Sequence, residues 1–242
     1  MYRICIVNLL AFILLASCKT GPKKTTSATY PDIEVAGAMK NVMWKGELGG
    51  IIDLDTISNK KGLYGLGPVS FLTGELLIVD GKTYISRVID SANMSVEQNS
   101  KVEAPFFVYG NANEWQNEKL PPSVTDIASL EKFIDDKTKS FKRPFIFKLI
   151  GTVGYADIHI QNLPKGTVVS SPDEAHQGQV NYDLKNEEVE IIGFFSTEHQ
   201  AVFTHHDSYM HMHLITKDRG QMGHLDKVEF EEGEVELFLP VK

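Results

Sequence analysis

The sequence predicts an α+β fold, with a mixed α/β half over residues 33–150 packed on an antiparallel β half over 151–242. Three observations carry this. Leu76-Leu77-Ile78-Val79, Asp80-Gly81 and Thr83-Tyr84-Ile85-Ser86-Arg87-Val88 read as two strands joined by a tight turn, because Asp-Gly supplies the positive φ of a type I′ hairpin. Residues 125–134 carry apolar side chains at 127, 130, 133 and 134, a helical spacing that Thr125 is placed to cap. After Gly151 the apolar runs are all strand-like.

The elements follow in order. Residues 35–44, ahead of Gly46, form a short helical candidate. Phe106-Phe107-Val108-Tyr109 and Phe145-Ile146-Phe147-Lys148-Leu149-Ile150 are strands by their aromatic and β-branched content between Pro and Gly. In the second half, strands are expected at 189–195, 203–216, 227–230 and 234–239, with Glu232-Gly233 turning between the last two.

The chain opens with a segment to set aside from the fold. Arg3, the apolar run 4–14 and Leu15-Ala16-Ser17-Cys18 read as a lipoprotein signal peptide over 1–17, with lipid carried on Cys18. The apolar run falls short of the roughly 20 residues of a spanning helix, and acyl chains anchor at about 0.8 kcal/mol per buried CH₂. Residues 18–32 then read as a lipidated cysteine and flexible tether, rich in Lys, Thr, Ser, Gly and Pro. The expected location is exported and membrane-anchored, on the periplasmic or cell-surface face of a bacterium. The two cysteines, Cys5 and Cys18, both precede the folded body, so that body holds neither a disulfide nor a thiol nucleophile.

At 242 residues and 42% hydrophobic content the chain can build a core without staples. Its formal charge of −8, with scattered Lys and Arg, excludes a phosphate-driven nucleic-acid binder.

Five of the eight histidines lie between 205 and 224. Side chains alternate along a strand, so His211 and His213 share one face while Met212 and Leu214 point into the core. Two imidazoles at i and i+2 can reach one ion, and the turn at Lys217-Asp218-Arg219-Gly220 lets the chain fold back to bring His224 beside them. Three nitrogens and an open fourth position are the pattern of a catalytic zinc site; the bland alternative is a solvated surface pair. His205 and Asp207 share the same parity if no bulge intervenes, either to orient an imidazole or, as expected, to stay exposed. His159, His176, His199 and His206 carry no spacing argument.

Tyr209-Met210-His211-Met212-His213-Leu214-Ile215-Thr216-Lys217-Asp218-Arg219 with Gly223-His224-Leu225-Asp226 resembles the signature of the α-acetolactate decarboxylases. Gly74-Glu75-Leu76-Leu77-Ile78-Val79-Asp80-Gly81-Lys82-Thr83-Tyr84 is similar to that family's Gly-Glu hairpin, and Ala104-Pro105-Phe106, the Thr125 helix and Gly193-Phe194 follow in the family's order. The resemblance implies a β-barrel-like second half and His211, His213 and His224 as ligands of Zn²⁺ or another divalent first-row ion. It further implies Glu75 as an active-site carboxyl and decarboxylation of 2-acetolactate to acetoin and CO₂, the metal chelating the substrate and stabilising the enediolate. A homodimer is left open. Where the family has an arginine, Lys148 stands in Phe145-Ile146-Phe147-Lys148-Leu149-Ile150-Gly151, keeping the charge but not the two-pronged carboxylate contact. The family's Gly-Gly-His is Met222-Gly223-His224 here, and its C-terminal glutamate has no counterpart before Lys242. These departures keep two alternatives in play: a lyase or hydrolase for another small oxo or hydroxy acid, and a non-catalytic metal- or metabolite-binding lipoprotein.

Overall fold

The computed structural model describes Met1 and residues 32–241. The expected signal peptide, Cys18 and the tether up to residue 31 lie outside the described residues. Among those described, no helix is long and apolar enough to cross a membrane.

Among the described residues, fourteen strands and three α-helices follow one another. The first part comprises β1 (Ile33–Ala36), α1 (Met39–Lys45), β2 (Ile52–Asp53), β3 (Leu63–Pro68), β4 (Glu75–Val79), β5 (Lys82–Val88), β6 (Met94–Gln98), β7 (Glu103–Ala104), β8 (Phe107–Asn111), β9 (Trp115–Lys119) and α2 (Ile127–Lys137). The second comprises β10 (Phe145–Ile160), α3 (Pro172–Ala175), β11 (Val180–Phe195), β12 (Met210–Thr216), β13 (Met222–Glu229) and β14 (Val235–Pro240). One antiparallel sheet has the order β1-β8-β3-β4-β5-β6, the other β11-β12-β13-β10-β14-β9, and β2 pairs with β7 alone. In the second sheet β10 also pairs with β11, so the pairings pass from β10 through β11, β12 and β13 back to β10. The arrangement is barrel-like, and the molecule is mostly sheet with few helices.

The β4–β5 hairpin forms as expected, with Val79 opposite Lys82 and positive φ at Asp80 (46°) and Gly81 (78°). Alternation then builds the two largest of the buried apolar clusters among the described residues. Leu77 and Val79 of β4, Leu66 of β3 and Val108 of β8 pack against Ile146, Ile192, Phe194, Ile215 and Met222, forming the layer between the two sheets. Phe147, Leu149, Ile158, Ile160, Ile191, Met212 and Leu214 fill the inside of the barrel-like sheet, where α2 adds Leu130 and Ile134. Each fully buried Leu, Ile or Phe of this kind stabilises the fold by about 1.5–3 kcal/mol relative to exposure.

Several expectations are corrected. The first helix starts at Met39, because Val35 is hydrogen-bonded into β1 opposite Val108. The cap of α2 is Asp126, which exchanges hydrogen bonds with Ser129 in a capping box, while the Thr125 carbonyl accepts from Phe230 N. The strand expected over 203–216 begins only at Met210, and α3 interrupts the β run. Strand β10 runs unbroken through Ile150 and Gly151, where the two halves were divided in sequence. The turn at Glu232-Gly233 does not close a hairpin: β13 and β14 pair in succession along the same side of β10.

Candidate metal centre

The parity that builds the inter-sheet layer also builds the site. His211 and His213 alternate with Met212 and Leu214, so they face the first sheet on the same side as Ile215. Glu75 precedes Leu77 and Val79 at that parity and faces back toward the second sheet. His213 lies opposite His224 in the β12–β13 register, and His224 lies opposite His159 in the β10–β13 register. Gly223 permits this, since a Cβ there would stand 2.6 Å from the His159 carbonyl oxygen.

His211 Nε2 is 3.1 Å from His224 Nδ1, and the ligand atoms of His211, His213 and His224 all lie within 4.8 Å of one another. Glu75 Oε2 is 3.6 Å from His213 Nε2, while Oε1 accepts a hydrogen bond from Gln161 N at 3.2 Å. All four side chains are buried. A cavity of about 210 Å³ opens on Glu75, His211 and His224. Met39, Met43, Leu72 and Phe106 form its apolar wall; Glu75, His159, Gln161, His205, His211 and His224 line the polar side. Among the described residues no Lys or Arg lines it.

Burial dominates the electrostatics. Desolvation holds His211 and His224 well below the ordinary imidazole range, neighbouring histidines adding to it, and lowers His213 to about 3. Desolvation pushes Glu75 well above the usual carboxylate range, opposed by the Gln161 N–H and reinforced by Asp226. Burial thus disfavours the charged form of the imidazoles and of the carboxyl alike. His211 Nδ1 and both ring nitrogens of His213 have no hydrogen-bond partner of normal geometry among the described residues. Three buried imidazoles, each able to turn one nitrogen lone pair into a space where their ligand atoms lie within 4.8 Å of one another, fit a divalent first-row ion, the role the sequence resemblance implied for them.

Of the residues singled out in sequence, Glu75, His211, His213 and His224 come together. Lys148 does not join them, which corrects its expected place at the site. It pairs with Ile192, which pairs in turn with His213, so an apolar residue separates the two. Its ammonium lies 4.7 Å from the Trp115 ring centroid, 5.3 Å from Phe238 and 5.7 Å from Tyr64. Desolvation in that nest lowers its pKa. His205 is not exposed as expected: it leaves the 203–209 turns to place Nε2 3.1 Å from His224 Nε2. Asp207 is exposed.

Sequence reasoning missed His159, Gln161 and Asp226. Asp226 Oδ2 accepts from His159 Nδ1 at 2.7 Å and from Asn181 Nδ2 at 3.1 Å. His176 stands beside His159, their ring centroids 6.4 Å apart. The signal was the alternation Ile158-His159-Ile160-Gln161 in an apolar strand, which marks two polar residues on one face but not what they face.

Residues 37–239 match the family described as Alpha-acetolactate decarboxylase. The chain belongs to this family. Among its curated members, the alpha-acetolactate decarboxylase of Brevibacillus brevis is 26% identical over 198 residues, 81% of this chain and 66% of that protein. The alpha-acetolactate decarboxylase of Lactococcus lactis subsp. cremoris is 25% identical, covering 84% of this chain and 78% of that protein. The crystal structure of alpha-acetolactate decarboxylase from Bacillus subtilis strain 168 shares the fold, with a TM-score of 0.71 at 20% identity over 87% of this chain and 86% of that one. The alpha-acetolactate decarboxylase fold thus accounts for the two packed sheets, and the buried histidines sit between them.

Proposed function

We propose that this chain decarboxylates 2-acetolactate to acetoin and CO₂, with zinc or another divalent first-row ion held by His211, His213 and His224. Family membership supports the reaction. The observation that carries the reading is the placement of the buried Glu75 carboxyl 3.6 Å from His213 Nε2, beside the cavity that both Glu75 and the other two histidines line.

In the reaction the bond from the substrate carbon to its carboxylate breaks, CO₂ departs, and the electron pair spreads onto the neighbouring ketone oxygen as an enediolate. A proton then joins carbon to give acetoin. A divalent ion, when bound, supplies the Lewis acid that offsets the negative charge. The chain does the rest. Gln161 N fixes one oxygen of Glu75, which leaves Oε2 turned to His213, in place to deliver a proton to the substrate carbon. Met39, Met43, Leu72 and Phe106 exclude water from the charge that develops.

Acetoin formation from acetolactate by the purified, zinc-loaded chain tests this, and a protein with stoichiometric zinc that forms none overturns it. A lyase acting on another small oxo or hydroxy acid is favoured by one observation, that Lys148, standing where the resembled pattern has an arginine, does not line the cavity. Turnover of other 3-oxo acids without turnover of acetolactate would decide for it.

The proposal includes export and lipid anchoring at Cys18, supported by the apolar run and Leu15-Ala16-Ser17-Cys18. Cys18→Ala should abolish acylation and release the chain from membranes; a variant that stays in the membrane fraction overturns the anchor.

A further inference from the structure

Apolar side chains left on the surface gather on one face. Apart from Met1, six large hydrophobic residues are exposed among the described residues, and four of them, Trp44, Ile51, Phe71 and Val168, belong to neighbouring segments. Phe71 N donates to the Leu48 carbonyl at 2.7 Å. A Cβ on Gly50 would stand 2.7 Å from Ser70 Oγ, and one on Gly46 would stand 2.6 Å from the Val169 carbonyl oxygen. The end of α1, the loop over 46–51, the turn over 70–73 and the loop over 163–169 therefore form one surface, around a groove of about 640 Å³ lined by Leu48, Phe71, Leu163 and Pro164. A strained backbone holds Phe71 outward: it has φ 61° and ψ 19°, a left-handed conformation that aromatic residues rarely adopt, while its neighbour Leu72 is buried in the wall of the cavity beside the histidines. Contiguous exposed apolar residues of this kind mark association with a protein or a membrane.

We propose that this face rests on a lipid bilayer as a peripheral contact, with Trp44, Ile51, Phe71 and Val168 at the boundary between headgroups and acyl chains. The inference rests on the anchoring at Cys18. Thirteen residues lie between Cys18 and Asp32 and reach at most about 45 Å when extended. Ile51 Cδ1 packs on Gly37 at the other end of β1, about 15 Å along the strand from Asp32. The face is thus within reach of the membrane that holds the lipid. Charge agrees: the chain carries −8, yet these four segments hold Lys45 and Lys165 against Glu47 alone, a balance that suits anionic headgroups. Tryptophan and phenylalanine beside lysine is the composition of an interfacial contact. Trp44 also lines the cavity with the histidines, so lipid contact sets the mouth of that cavity at the bilayer surface.

The test reads Trp44 in the full-length chain carrying Trp115→Phe, which leaves one tryptophan, reconstituted in vesicles of equal parts phosphatidylethanolamine and phosphatidylglycerol. Phospholipids brominated in the acyl chain should quench Trp44 emission. Phe71→Asp with Val168→Asp should abolish the quenching while mass spectrometry still finds the acyl group. Both positions are exposed and Asp accepts positive φ, so an unchanged melting temperature should report an intact fold; a lowered one hands the decision to Val168→Asp alone, at a position 82% exposed. Emission unaltered by brominated lipid in an acylated chain overturns the lipid-facing surface and leaves the anchor standing. A chain without an acyl group overturns the anchor instead, and the same vesicles added to that chain decide the surface, quenching supporting it and unaltered emission overturning it. Quenching that survives the double substitution overturns the face as drawn. A lipid-free dimer that the double substitution dissociates assigns the face to a second copy and overturns the bilayer.

Discussion

Glu75 Oε2 and His213 Nε2 stand 3.6 Å apart although they belong to different sheets, Glu75 at the start of β4 and His213 in the middle of β12. Each is buried by the layer it opens onto, and burial disfavours the charged form of both, raising the carboxyl pKa and lowering that of the imidazole. Chemistry at this site thus depends on the packing of one sheet on the other.

Glu75→Gln keeps the shape and the hydrogen bond from Gln161 but removes the transferable proton. Zinc content should be unchanged, while the rate of acetoin formation should fall about 10²–10⁴-fold. A rate within threefold of the parent would mean that Glu75 does not handle the proton.

His213→Ala removes a ligand that no solvent can replace at full burial. Zinc affinity should fall by more than the roughly 10–100-fold typical of losing a group that merely orients a ligand. Metal analysis after dialysis against a weak chelator measures it, and stoichiometric zinc in the variant would contradict the triad.

Lys148→Met should leave turnover within threefold of the parent, because the ammonium is engaged with Trp115, Phe238 and Tyr64 outside the cavity. Stability should drop by about 0.5–1 kcal/mol from the lost cation–π contacts. A hundredfold loss of rate with stability intact would place Lys148 on the substrate.

Metal-free protein should lose stability as pH falls below about 6.5. In the unfolded chain the histidines take up protons near that value, whereas in the fold His205, His211, His213 and His224 stay neutral, His213 down to about 3. The unfolded state then binds more protons, and each such group removes up to about 1.4 kcal/mol per pH unit. Glu75 acts in the other direction, its contribution present at low pH and lost as pH rises through its raised value. Four imidazoles outweigh one carboxyl, so the melting temperature of metal-free protein should be lower at pH 5.5 than at pH 7.5. An equal or higher value at pH 5.5 would contradict the neutral assignment.

Gly193→Ala should destabilise the chain by about 1–3 kcal/mol. A Cβ at Gly193 would collide with the Phe147 ring, and Gly193 pairs with Met212, between the two histidines of β12. Denaturant unfolding measures the loss; stability equal to the parent would show that Phe147 can move aside.

The local chemistry of this chain is written in its sequence. Asp80-Gly81 determines a hairpin because it accepts positive φ at both turn positions. His211-Met212-His213 determines two imidazoles on one face because strand side chains alternate, and Gly223-His224 marks a third near them. Boundaries were less legible where a tertiary contact overrides a local signal. Val35 reads as helix until β8 offers it a partner, and Thr125 reads as a cap until Phe230 takes its carbonyl and Asp126 does the capping. The tertiary structure alone decided the rest of the site. His159 and His224 are 65 positions apart in the chain and meet by the β10–β13 register, His205 arrives from a turn rather than a strand, and Lys148, on the same face as His213, is kept apart from it because Ile192 lies between them. Periodicity reports which side a residue faces, but what lies on that side depends on strand order and register, which arise only when distant segments pair.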